Sequence, residues 1–179
     1  MKITHVTTRV LSTPADNPLV VGLPAPTDTR EFVTLELGTE SILVVRQPDG
    51  SIRARYNVCM HRGNRLREPG RGHASKFSCL FHGWEYGIDG SLIQALDPEC
   101  FPQGIDRKKL DLQPVLCHPW PGFVFVNLDP NAAPLRDYLG PMAERLEDYD
   151  FASCALIAEQ SAEVDCNWKV AVDNINEGY

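Results

Sequence analysis

The sequence has no run approaching the roughly 20 apolar residues that a membrane-spanning helix needs, so no such span is expected. Its opening, MKITHVTTRV, lacks the apolar core of a secretory signal. A cytoplasmic location is the resulting expectation. Positive charge is in short supply, with 17 Lys and Arg against 24 Asp and Glu and a formal net charge of −7. Nucleic acid selects basic surfaces, so it is not an expected partner. There is also no internal repeat and no low-complexity tract. What remains is an ordinary globular balance of 43% hydrophobic and 23% charged residues.

Short apolar runs separated by turn residues dominate the first 130 positions. Lys2–Leu11, rich in Thr and Val, has the texture of a strand. Pro14, Pro18, Pro24 and Pro26 then forbid a long helix or a central strand. Phe32–Leu37 and Ile42–Arg46 read as strands around Gly38-Thr39. Asp49-Gly50 and Asp89-Gly90 are hairpin signals. Ile52–Val58, Phe77–Cys79, Glu85–Ile88, Leu112–Cys117 and Phe123–Leu128 complete the expected strands. Beyond residue 130 the pattern changes. Leu135–Tyr149 has helical spacing through Leu139, Met142 and Leu146. Ala155–Val164 reads as a strand and Asn167–Tyr179 as a helix.

Six cysteines occur, at positions 59, 79, 100, 117, 154 and 166. Two of them have a histidine close downstream. Cys59-Met60-His61 is followed, after 17 residues, by Cys79-Leu80-Phe81-His82. Thiolate and imidazole are strong ligands for transition metals, and without an export signal this pattern points to metal before disulfide. Two short loops, each offering one Cys and one His, suit a [2Fe–2S] cluster with two Cys on one iron and two His on the other. They also suit a mixed Cys/His zinc site. His5, His73 and His118 lack chelating neighbours. Cys100, Cys117, Cys154 and Cys166 are expected to be buried free thiols.

The residues around these loops are VCMHRGNRL and SCLFHGWEYGIDGSL. They closely resemble the Rieske domain of ring-hydroxylating and related Rieske non-haem iron oxygenases, with C-x-H-R-G and then C-x-x-H-G-W. The resemblance runs from about Gly38 to Leu128, and more weakly to Tyr179. It implies a mainly β fold, an antiparallel β-sandwich with a [2Fe–2S] cluster at the tips of two loops. An α+β fragment of a catalytic domain would follow. It also implies that Cys59, His61, Cys79 and His82 are the metal ligands. Respiratory Rieske proteins carry an extra cysteine in each loop and a Ser after His-Gly. Here Asn64, Phe81 and Trp84 occupy those positions, so that disulfide and that hydroxyl bond are missing. Fewer hydrogen bonds to the cluster favour a lower potential. Gly63, Gly83 and Gly87 fit tight turns or close backbone approach. Trp84 and Tyr86 suit either shielding of the cluster or ordinary core packing. Arg62, Arg65, Arg67 and Arg71 form a basic run, read as a solvated face or as a dock for an acidic electron donor.

Asn167-Trp168-Lys169 through Tyr179 resembles the first helix of the oxygenase catalytic domain. In that family an acidic residue, a Tyr and the first iron-binding His follow. Glu177 falls where the family places a carboxylate bridging the cluster of one subunit to the mononuclear Fe(II) of its neighbour. A Glu there resembles members acting on quaternary amines such as carnitine or betaines. The sequence stops at Tyr179, so that Fe(II) is expected only in the complete enzyme, and the chain alone is expected to be incomplete for catalysis. Residues 1–37 depart from the family. MKITHVTTRVLSTP resembles the first strand of enolase-superfamily proteins, which suggests a fusion. The expected division is 1–37 as an atypical segment, 38–130 as the cluster domain and 131–179 as the start of a catalytic domain.

The function implied is the electron-entry portion of an oxygenase large subunit. A ferredoxin or flavoprotein reductase would supply the electrons, and the complete enzyme would be a homo-oligomer of the trimer type performing hydroxylation or demethylation. The alternatives are a stand-alone Rieske ferredoxin and a zinc-binding module. The substrate is not readable.

Overall fold

The computed structural model describes residues 2–3, 6–12, 30–120, 122–151, 154–162 and 165–176. In chain order the strands are β1 (Lys2–Ile3), β2 (Val6–Ser12), β3 (Arg30–Leu37), β4 (Glu40–Arg46), β5 (Ile52–Tyr56), β6 (Arg71–Ala74), β7 (Lys76–Ser78), β8 (Glu85–Gly87), β9 (Leu92–Gln94), β10 (Pro114–Trp120), β11 (Phe123–Asn127), β12 (Ala155–Ala162) and β13 (Cys166–Asn167). The helices are α1 (Leu135–Leu139), α2 (Pro141–Glu147) and α3 (Trp168–Asn176). The chain divides into two units, Gly22–Glu147 and Met1–Val21 with Asp148–Tyr179.

The larger unit holds a six-stranded sheet in the order β11-β10-β5-β4-β3-β6 and a three-stranded sheet in the order β7-β8-β9. All neighbours run antiparallel. Strand β4 explains the layering. Its Ile42-Leu43-Val44-Val45 run is buried throughout, and alternate side chains leave opposite faces. Leu43 and Val45 join Phe77, Tyr86, Leu92 and Leu112 in one core, which also contains Cys59 and Cys79. Ile42 and Val44 pack with Ala54 and Val115 in a second core on the other face.

The hairpin turns repeat one device. Asp49 Oδ1 accepts bonds from the Ser51 backbone N–H at 2.9 Å and the Ser51 hydroxyl at 2.7 Å. Asp89 Oδ1 does the same for Ser91, at 3.0 and 2.7 Å. These Asx turns fix the reversals that carry β4 into β5 and β8 into β9.

Several elements differ from expectation. The helix expected over 135–149 is broken into α1 and α2 at Gly140-Pro141, because proline offers no backbone N–H to continue the first helix. Strands β6 and β9 are too short to leave a period in the sequence. Strand β3 begins at Arg30, two residues ahead of the expected Phe32, and β10 runs on to Trp120.

In the smaller unit, β2 pairs with β12 from Val6↔Ala162 to Ser12↔Ala155, and β1 pairs with β13. The opening segment, which resembles a foreign first strand, is here the ladder partner of the C-terminal segment. Asn167 caps α3, its Oδ1 accepting the Lys169 N–H at 3.0 Å. Glu177 and Tyr179 lie outside the described residues. Among the described residues no helix is long and apolar enough to cross a membrane.

Candidate metal centre

Two loops of the larger unit share one backbone design. In the first, the Cys59 N–H donates to the Asn64 carbonyl at 2.8 Å and the Gly63 N–H donates to the Cys59 carbonyl at 2.9 Å. In the second, the Cys79 N–H donates to Trp84 at 2.7 Å and the Gly83 N–H to Cys79 at 2.9 Å. A strand-like pair closes each base, Val58↔Arg65 and Ser78↔Glu85. Gly63 and Gly83 both sit in the left-handed region, at φ +72° and +67°. A residue with a Cβ is disfavoured there, which accounts for glycine at the matching place in each motif.

The loops bring the four expected residues together. Cys59 and Cys79 are buried at 1% and 3% exposure and interact through their sulfurs. The His61 and His82 rings stand 4.7 Å apart at 70°. Trp84, itself buried, stacks on His61 at 4.8 Å and 7°. The Nδ1 atoms of His61 and His82 are buried without a hydrogen-bond partner. Such atoms are rare in folded proteins because each costs about 1–3 kcal/mol. A metal bound at both nitrogens satisfies them, so the donor set fits a metal group.

The arrangement also bears on which metal. A two-iron cluster takes its ligands in pairs, thiolates on one iron and imidazoles on the other, and the two sulfurs and the two imidazole rings lie in such pairs.

The surroundings favour the ligand forms of His61 and Cys79 and oppose that of Cys59. Burial, and then the neighbouring His82 and Arg62, push the His61 pKa down, which favours the neutral imidazole. Burial pushes the Cys79 thiol up. It is outweighed by the N–H groups of Phe81 and His82 and by Cys59 and Asn64, so the net shift is downward. Burial raises the Cys59 thiol. The Tyr86 hydroxyl lies 3.4 Å from the Cys59 sulfur and accepts the Met60 N–H at 3.0 Å. Burial and the neighbouring Cys59 raise the Tyr86 pKa, so the phenol keeps its proton and can donate it to a thiolate. Asn64 Nδ2 approaches the Cys79 sulfur at 3.8 Å.

Two sulfur-directed donors, Tyr86 and Asn64, are therefore present where the motif alone suggested a shortage. The spacing E-Y after H-G-W offered Tyr86 as a core residue, and only the fold brings its hydroxyl to sulfur. The basic run is not one surface. Arg65 pairs with Glu36 at 3.2 Å, while Arg67 turns inward across Phe77. The remaining cysteines are less buried than expected: Cys100 is exposed on a short 3₁₀ turn, and Cys117, Cys154 and Cys166 are half-buried.

Comparison with known proteins agrees with this geometry. Residues 17–105 match the Rieske [2Fe-2S] domain family. The chain is 31% identical over 148 residues to the glycine betaine monooxygenase oxygenase subunit of Pseudomonas aeruginosa, covering 83% of this chain and 34% of that protein. It is 36% identical to the carnitine monooxygenase oxygenase subunit of Escherichia coli K12, over 85% of this chain and 41% of that one. A crystal structure of naphthalene 1,2-dioxygenase superposes with TM-score 0.62 at 36% identity, covering 78% of this chain and 30% of that chain. The chain thus spans about a third to two-fifths of the length of these relatives.

Proposed function

This chain carries a Rieske [2Fe–2S] domain and belongs with the large subunits of Rieske oxygenases; on that premise we propose that it is the electron-entry portion of such an enzyme. In this reading Cys59 and Cys79 hold one iron, and His61 and His82 hold the other. The observation that carries it is the pair of buried, partnerless Nδ1 atoms beside two buried sulfurs on matched loops. When bound, a mixed Cys/His cluster supplies one-electron transfer at a potential above that of all-thiolate clusters. The protein's part is to hold the geometry and tune it. Tyr86 holds its hydroxyl 3.4 Å from the Cys59 sulfur, where it would donate to a thiolate, backbone N–H groups of the second loop turn toward Cys79, and Trp84 stacks on His61. His61 and His82 are less buried than the sulfurs, so the imidazoles would be the ligands nearest solvent.

The donor is a ferredoxin or flavoprotein reductase, and the acceptor is a mononuclear Fe(II) of the complete enzyme, a homo-oligomer. Similarity over 148 residues reaches well past the cluster loops and favours an oxygenase subunit over a stand-alone carrier. Glu177 is the candidate bridging carboxylate. Its identity, together with the glycine betaine and carnitine relatives, supports a quaternary amine as the substrate class.

Stopped-flow reduction by a ferredoxin or flavoprotein reductase tests the electron-entry role. Bleaching of the visible absorption on one-electron reduction is expected. Full reductase turnover with no bleaching of a loaded cluster contradicts the role. In the full-length enzyme, Glu177→Gln is expected to leave cluster reduction intact and to lower product formation steeply. Equal turnover removes Glu177 from the path.

A further inference from the structure

We propose that Arg67 is a positioning residue that straps the two ligand loops together and so sets the relative placement of their ligands. The inference rests on the cluster reading above and adds a residue that no ligand motif contains.

Arg67 lies just past the first loop, and its backbone is held on both sides. Its N–H donates to Asn57 Oδ1 at 3.0 Å, and its carbonyl accepts Asn57 Nδ2 at 2.7 Å. Asn57 is 2% exposed and also donates to the Ser41 hydroxyl at 3.0 Å. The root of the Arg67 side chain is therefore tied through Asn57 to β4, two residues before Cys59.

From that fixed root the guanidinium crosses to the strand that feeds the second loop. Nη2 donates to the Lys76 carbonyl at 3.2 Å. Nη1 donates to the Leu66 carbonyl at 2.8 Å and reaches the Ser78 carbonyl at 3.5 Å. Ser78 directly precedes Cys79. The guanidinium also lies over the Phe77 ring at 5.2 Å and the Phe32 ring at 6.0 Å, and those two rings meet edge to face at 5.6 Å. One side chain thus links the exit of the first ligand loop to the entrance of the second.

The chemistry requires arginine. A planar fork of donors can satisfy several carbonyls while stacking on an aromatic face, whereas a lysine ammonium is a point charge that cannot do both. Hydrogen bonds from a charged donor are the stronger ones, and their carbonyls are left short when it is removed. A half-buried positive charge beside the carbonyl that precedes Cys79 would also favour a more negative, reduced centre. Substituting Lys keeps the charge and loses the fork, and substituting Met loses both.

The test compares loaded wild type, Arg67→Lys and Arg67→Met by EPR of the reduced cluster, midpoint potential, chelator-driven bleaching and unfolding followed by circular dichroism. Both variants are expected to bleach faster, Arg67→Met by roughly tenfold, and to shift the EPR g values, by more than the accompanying fall in the unfolding midpoint accounts for. Only Arg67→Met is expected to lower the potential clearly. Unaltered bleaching and EPR in Arg67→Met overturn the inference. So does bleaching that merely follows a matching fall in the unfolding midpoint. Wild type without iron and sulfide would instead remove the cluster reading itself.

Discussion

The two ligand loops differ in content while sharing a backbone. Both close with the same pair of hydrogen bonds, and both place glycine four residues after cysteine. The first offers histidine two residues after its cysteine and the second three residues after. That offset changes what each tip shows to solvent. His61 is shielded by Trp84, whereas the second loop presents Leu80 at 91% and Phe81 at 61% exposure. The sulfurs differ as well: Cys59 meets a buried phenol, and Cys79 meets backbone amides and Asn64. A common scaffold fixes where the ligands stand, and the unlike side chains set how each is tuned.

The largest expected effect comes from erasing the ligand asymmetry. His82→Cys moves the centre toward an all-thiolate type, and its potential is expected to fall by roughly several hundred mV. Protein-film voltammetry measures this, and an unchanged potential argues against His82 as a ligand. Next comes the contrast between the sulfurs. Tyr86→Phe deletes a buried donor at 3.4 Å and Asn64→Ala a more exposed one at 3.8 Å. Donors to sulfur stabilise the added negative charge of the reduced state, so both changes lower the potential, Tyr86→Phe more. The reverse order would mean that burial does not decide the strength of these bonds.

The shared backbone can be tested at its glycines. Gly63→Ala and Gly83→Ala each carry the left-handed strain, about 1–2 kcal/mol. Only a Cβ at Gly83 also meets a side chain, Leu96 Cδ1 at 2.6 Å, while a Cβ at Gly63 meets nothing within 4 Å. Denaturant unfolding is expected to show both losses, slightly larger for Gly83→Ala, with Leu96→Ala removing the difference. The smallest effect belongs to the exposed tip. Leu80→Ser is expected to change stability by no more than about 0.5 kcal/mol, since that side chain buries almost nothing. A larger change in the isolated chain would mean that the tip packs against something.

Much of this centre was legible before any fold was known, because its chemistry is local. Cys-x-His and Cys-x-x-His are short chelating units, and Gly63 and Gly83 are required by turns a few residues long. The β4 run was equally plain, since Ile42 to Val45 is apolar on both faces. What escaped depends on contacts distant in sequence. Tyr86 reaches Cys59 across 27 positions, and Arg67 reaches Lys76 and Ser78 past the intervening strand β6. No periodicity announces either. Arg67 stands in a row of arginines that reads as a charged face, and the Phe32–Phe77 pair together with the Leu66, Lys76 and Ser78 carbonyls explains why it turns inward. The β2–β12 ladder is more distant still, joining residues 6–12 to 155–162.

Metal and sulfide analysis of the anaerobically purified chain, paired with EPR of the dithionite-reduced sample, bears most directly on the centre. Equal amounts of iron and acid-labile sulfide with a mixed Cys/His cluster signal are predicted. One zinc per chain, no sulfide and no signal would contradict the two-iron centre.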